Sequence, residues 1–143
     1  MHVFDEITVV VLLLMVGVEF AVSAFVNPSA WHLDPEPQAK MLGHFAAVLG
    51  KVMPVWYAAG LLLLVAETWL HRFEPGRGLL LAASAIWLLM TLFTLLFLVP
   101  LNNLVIKAGP GWQEAHRTWD TRHRVRIVAL AVAAVLLTYV VTR

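Results

Sequence analysis

The chain has 143 residues, 61% of them hydrophobic and 13% charged, with a formal net charge of +1. A mean hydropathy of +0.82 excludes a soluble globular domain, because so small a body lacks the interior to hide that much apolar side chain. The balanced charge gives no nucleic-acid footprint, and the absence of cysteine excludes disulfides, thiolate metal sites and a cysteine nucleophile.

A bilayer core takes about 20 mostly apolar residues per helix. Ile7–Phe25 is the first such run, broken only by Glu19. A signal peptide opens on positive charge, whereas this chain opens Met1-His2-Val3-Phe4-Asp5-Glu6, so the run reads as a span. Val52–Leu70 is the second run, and the helical spacing of Met41, Phe45, Val48 and Val52 carries its helix back to about Gln38. Pro54 is expected to kink it near its start. Gly78–Val99 holds no charge, and Val125–Val141 extends as a helical pattern back to about Trp112. The chain is thus expected to be one all-α domain, an integral membrane four-helix bundle. Its spans fall at about 7–26, 44–70, 78–100 and 122–142.

Four spans put both termini on one side and two long connections, Asn27–Lys51 and Pro100–Arg124, on the other. The long-connection side carries Lys40, Lys51, Lys107, Arg117, Arg122, Arg124 and Arg126, against Arg72, Arg77 and Arg143 opposite. Even with Lys51 and Arg126 set aside, the bias places the long connections in the cytoplasm and the termini outside.

The polar residues at membrane depth gather toward the long-connection end. Glu19, Ser23 and Asn27 form one stripe on the first helix at i, i+4, i+8. His44 and Lys51 share a face of the second, the third ends in Asn102-Asn103, and His116, Asp120 and His123 align on the fourth beside Trp119 and Arg126. A charge near the bilayer centre costs about 2.5–3.5 kcal/mol, so it turns inward and finds a partner. Glu19 is therefore expected against Lys51, Arg126 or an imidazole. A salt-bridged plug needs only one such pair, and the larger gathering favours a polar pocket.

Asp120-x-x-His123 supplies half of a di-iron pattern, and Glu67 and His71 fall at the other end, so a dinuclear carboxylate site is disfavoured. A mononuclear copper or iron site on His44, His116, His123 and a carboxylate stays open. His2 and His32 read as solvated. Interfacial belts account for most of the tryptophans, while Trp56 and Trp119 lie close enough to the polar stripes to wall a flat ligand. Ser84, Thr91 and Thr94 read as a helix–helix contact stripe.

Gly17-Val18-Glu19-Phe20-Ala21, Phe25-Val26-Asn27-Pro28, Leu49-Gly50-Lys51-Val52-Met53-Pro54-Val55-Trp56-Tyr57-Ala58, Pro100-Leu101-Asn102-Asn103 and Trp119-Asp120-x-x-His123-x-x-Arg126 occur in this order. The set resembles the anthrone-oxygenase-like family of four-span membrane proteins, largely catalogued as a domain of unknown function. The resemblance spans nearly the whole chain and implies an oxidoreductase of the monooxygenase kind, turning an anthrone into an anthraquinone with O2. An anthrone carbanion reacts with O2 without a bound cofactor, so such a site needs a base, an oxyanion stabiliser and a dry aromatic slot. On this reading His44 or His123 is the base, and Asp120 or Glu19 orients the imidazole. Lys51, Arg126, Asn102 and Asn103 hold the enolate oxygen, Asn27 adds a polar contact, and Trp56 and Trp119 wall the rings. The implied partner is a small lipophilic substrate arriving sideways from the bilayer, with no nucleic acid; a homo-oligomer stays open. The alternative is a non-catalytic module that binds a lipid, a quinone or a partner subunit. A transporter is weakened by the lack of inverted repeats.

Overall fold

The computed structural model describes residues 2–143, which form four helices: α1 (Val3–Ala30), α2 (Pro35–Leu70), α3 (Arg77–Lys107) and α4 (Trp112–Val141). All four are long and apolar enough to cross a bilayer, and the protein is an integral membrane four-helix bundle. The helices outrun the apolar runs. α2 begins at Pro35 and α4 at Trp112, so most of each long connection is helix, with only short links at 31–34 and 108–111. Proline at the first turn of α2 explains its early start, because the missing N–H has no intrahelical partner there. Gly111, at φ 77°, lets the chain reverse into α4.

α1 and α3 each pack against both α2 and α4, which leaves α2 and α4 on one diagonal of the bundle. The core between them is apolar and interdigitated: Leu12, Met15, Leu64, Trp87, Leu130 and Leu137 are fully buried. Ala83, Ala133 and Ala134, also buried, let α3 and α4 approach closely. Outward faces carry exposed Leu, Val and Phe, such as Val55, Leu62 and Leu96, as a lipid-facing surface does.

Candidate functional site

Three prolines shape the loop end of the bundle. A proline within a helix cannot donate to the carbonyl four residues back, and its ring crowds that carbonyl. Two of them, Pro28 and Pro100, follow one widened π turn each, Val22–Val26 in α1 and Thr94–Leu98 in α3. Those turns close with i→i−5 bonds from Asn27 N–H to Val22 and from Val99 N–H to Thr94. Pro54 sits inside α2 and leaves the Gly50 carbonyl without its usual donor. The widened turns bracket the polar residues, which all four helices supply.

At the centre, Arg126 on α4 donates from Nη2 to Glu19 Oε2 on α1 at 2.5 Å. Its Nη1 reaches Thr94 Oγ1 on α3 at 3.0 Å, and Tyr57 on α2 donates to Glu19 Oε1 at 3.5 Å. Glu19, Tyr57 and Arg126 are all buried, so this ion pair is desolvated and charge-balanced. His123 completes the cluster. Its Nε2 lies 3.0 Å from the backbone carbonyl of Glu19, which only accepts, so Nε2 carries the proton. Its Nδ1 then accepts from Arg126 Nη2 at 2.8 Å; an imidazolium would set two donors against each other. The hydrogen-bond network assigns His123 as the neutral Nε2–H tautomer, with both nitrogens committed.

One turn toward the loops, Asp120 accepts from Asn27 Nδ2 at 2.6 Å, from Ser23 Oγ at 3.3 Å and from Arg124 Nη2 at 2.8 Å. Trp119 stacks on His123, with ring centroids 4.5 Å apart, and on His116 at 5.9 Å. Trp31 covers the far side of His116 at 5.7 Å. His116 is buried with Nε2 unpartnered.

A cavity of about 80 Å³ adjoins the ion pair; Glu19, Thr94, Asn102, Trp119 and Arg126 are its polar or aromatic lining. Its other walls include Val18, Gly50, Pro54 and Val99, all exposed at membrane depth, so it opens toward lipid. A narrower void on the other side of Trp119 is lined by Asn27, Phe45 and His116.

The structure brings together Glu19, Asn102, Trp119, His123 and Arg126, with Asn27 and Asp120 one layer away. Asn102 is half-buried and donates to the Ala46 carbonyl at 3.2 Å. It does not bring in His44, Lys51 or Asn103, which are exposed. Trp56 packs in the apolar core and donates to the Val11 carbonyl at 3.2 Å, away from the cavity. The expected convergence of acid, imidazole, amide and cation thus holds for one imidazole and one cation only. The mononuclear set is not assembled either: His44 points outward, and the Trp119 indole lies between His116 and His123. Tyr57 and Thr94 are in the cluster and were not expected there. Tyr57 was legible, since Met53, Tyr57, Gly60 and Leu64 repeat at helical spacing as the buried stripe of α2.

The anthrone oxygenase family model matches residues 4–136. No curated protein and no solved structure matches the chain.

Proposed function

Because the chain belongs to the anthrone oxygenase family, we propose that it oxidises a small lipophilic, anthrone-like aromatic with O2 at the Glu19–Arg126 pair. The observation that carries this reading is one cavity, open toward lipid, whose lining combines a buried carboxylate, a guanidinium, an amide and an indole. Glu19 takes a proton from the methylene carbon between the rings, and the electron pair moves onto the ketone oxygen as an enolate. Arg126 and Asn102 hold that oxygen. The negative charge passes from Glu19 to the substrate while Arg126 stays beside both, so the dry site is never left with an unbalanced charge. O2 then takes an electron pair from the carbanion carbon and bonds to it. The outer oxygen takes back the proton held by Glu19, which gives a hydroperoxide and restores the carboxylate. Loss of water leaves a ketone: one oxygen atom ends in the quinone and the other in water, and the second C–H proton leaves with that water. Trp119 forms the flat wall, and His123, with both nitrogens committed, positions Glu19 and Arg126. The cationic bias of the loop end supports long connections in the cytoplasm and termini outside, in what we take to be a bacterial inner membrane.

Oxygen uptake by proteoliposomes supplied with anthrone tests this. Glu19→Gln, checked to be folded, is expected to lose about 100-fold or more in kcat, while His44→Ala keeps the wild-type rate. A folded Glu19→Gln protein that oxidises anthrone at the wild-type rate removes the reading.

A second reading has the cavity hold a quinone or lipid group without chemistry. Its volume of about 80 Å³ favours a lipid chain in that role, being below the ~150 Å³ that admits a benzene ring. The wild-type uptake rate decides between the two.

A further inference from the structure

At the opposite end of the bundle, Asp5 on α1, Glu67 on α2 and His71, at the C-terminal end of α2, meet in a second buried cluster. Their exposures are 2%, 0% and 8%. His71 Nε2 lies 3.5 Å from Asp5 Oδ1 and 3.3 Å from Glu67 Oε2. Neither oxygen of Glu67 has a hydrogen-bond partner. Thr8, whose hydroxyl lies beside Glu67, spends its proton on the Phe4 carbonyl at 3.0 Å. Among the described residues no Lys or Arg forms an ion pair with Asp5 or Glu67. Two buried carboxylates therefore face each other with an imidazole as their one polar neighbour of opposite character, an arrangement too costly to leave uncompensated.

The other nitrogen of that imidazole is already engaged: His71 Nδ1 lies 2.8 Å from Glu74 Oε2. A carboxylate on Nδ1–H fixes the tautomer that turns the Nε2 lone pair inward, as the second partner of a metal-bound histidine does. The remaining oxygen of Asp5 is held as well, because Oδ2 accepts from the His2 N–H at 2.7 Å. Oδ1, Nε2 and a Glu67 oxygen are then three acceptors within 4.8 Å of one another. Zinc bonds to N and O of about 2.0–2.1 Å, arranged tetrahedrally, put neighbouring ligand atoms about 3.3 Å apart. The two imidazole–carboxylate separations, 3.3 and 3.5 Å, match that edge, and the two carboxylate oxygens lie within 4.8 Å of each other.

We propose that Asp5, Glu67 and His71 bind one zinc-type divalent cation at the terminal end of the bundle, with Glu74 orienting His71. The cation ties α1 to the end of α2 and leaves a fourth position for water from the membrane surface. Nothing in this site touches the Glu19 cavity, so it is structural and independent of the oxidation chemistry.

The test uses the full-length protein in detergent, stripped with chelator and dialysed against zinc chloride. Elemental analysis is expected to find one zinc per chain, and Tm is expected to rise on adding zinc and fall with chelator. Cobalt(II) loaded in its place is expected to show the intense visible absorption of a tetrahedral site. Glu67→Gln and His71→Ala are expected to lose both zinc and the Tm response, and Glu74→Gln to bind zinc about 10-fold more weakly. Should a variant not fold, the wild-type measurements stand alone. A folded wild-type protein that retains no zinc, and whose Tm ignores both zinc and chelator, overturns the proposal and leaves His71 as an imidazolium between two carboxylates.

Discussion

His123 donates from Nε2 to the backbone carbonyl of Glu19 at 3.0 Å, while its Nδ1 lies 3.1 Å from the Glu19 carboxylate. One ring on α4 thereby fixes the main chain of Glu19 directly and its side chain through Arg126 Nη2, which donates to both the ring and the carboxylate. His123→Ala removes these contacts and the stack with Trp119 at once. It is expected to cost about 2–4 kcal/mol, measured as a drop in Tm in detergent. His44→Ala, on the exposed side of α2, is expected to leave Tm unchanged.

The Glu19–Arg126 pair predicts a strongly non-additive mutant set. Arg126→Met strands a buried carboxylate and is expected to destabilise by about 3–5 kcal/mol. Adding Glu19→Gln removes that stranded charge, so the double variant is expected to be more stable than Arg126→Met alone. Thermal unfolding of the two single variants and the double variant gives the coupling. Additive losses would mean that the pair is solvated, contrary to its burial.

What the sequence made legible here follows from cost. A carboxylate inside an apolar run must turn inward, so the stripe of Glu19, Ser23 and Asn27 could be read directly and Arg126 stood among the partners open to Glu19, whereas the bonds from Ser23 and Asn27 to Asp120 were not foreseen. His44 and Lys51 were harder, because helical spacing shows that two residues share a face and not where that face points. The buried residues of α2 include Leu42, Ala46, Met53 and Tyr57. His44 lies two positions from both Leu42 and Ala46, and Lys51 two before Met53. Two positions turn a helix by about 200°, so both side chains face outward. The same spacing, anchored on the apolar stripe instead of on the charged residues, selects Tyr57. The cluster of Asp5, Glu67 and His71 was not readable, since it joins the start of one helix to the end of the next and no spacing rule links them.

If the cavity is reached from the bilayer, its rim controls access. Val99 lines the opening and is 38% exposed. Val99→Trp is expected to raise KM for a lipophilic aromatic by about 10-fold, with kcat and Tm close to wild type, because the bulk is added on the exposed face of α3 and not in its core. Steady-state oxygen uptake across substrate concentrations separates the two constants. A fall in kcat at unchanged KM would show that access is not through this rim.

A last prediction concerns the core beneath the site. Gly60 on α2 faces Trp87 on α3 so closely that an added Cβ would overlap the indole carbons. Trp87 is fully buried, and its Nε1–H donates to the Tyr57 carbonyl at 3.0 Å, one turn before Gly60. The missing side chain thus lets the nitrogen edge of a large ring reach the α2 backbone and anchors it to the residue whose hydroxyl faces Glu19. Gly60→Ala improves helix propensity by up to about 1 kcal/mol. Overpacking a rigid indole costs about 1–3 kcal/mol, so the net change is expected to be destabilising. Because the indole must shift, Tyr57 is expected to move with it, and near-ultraviolet circular dichroism should change along with Tm. Gly17→Ala, where the added carbon meets nothing, is expected to raise Tm slightly and to leave the near-ultraviolet signal at its wild-type value, which makes it the matched control for the propensity gain alone.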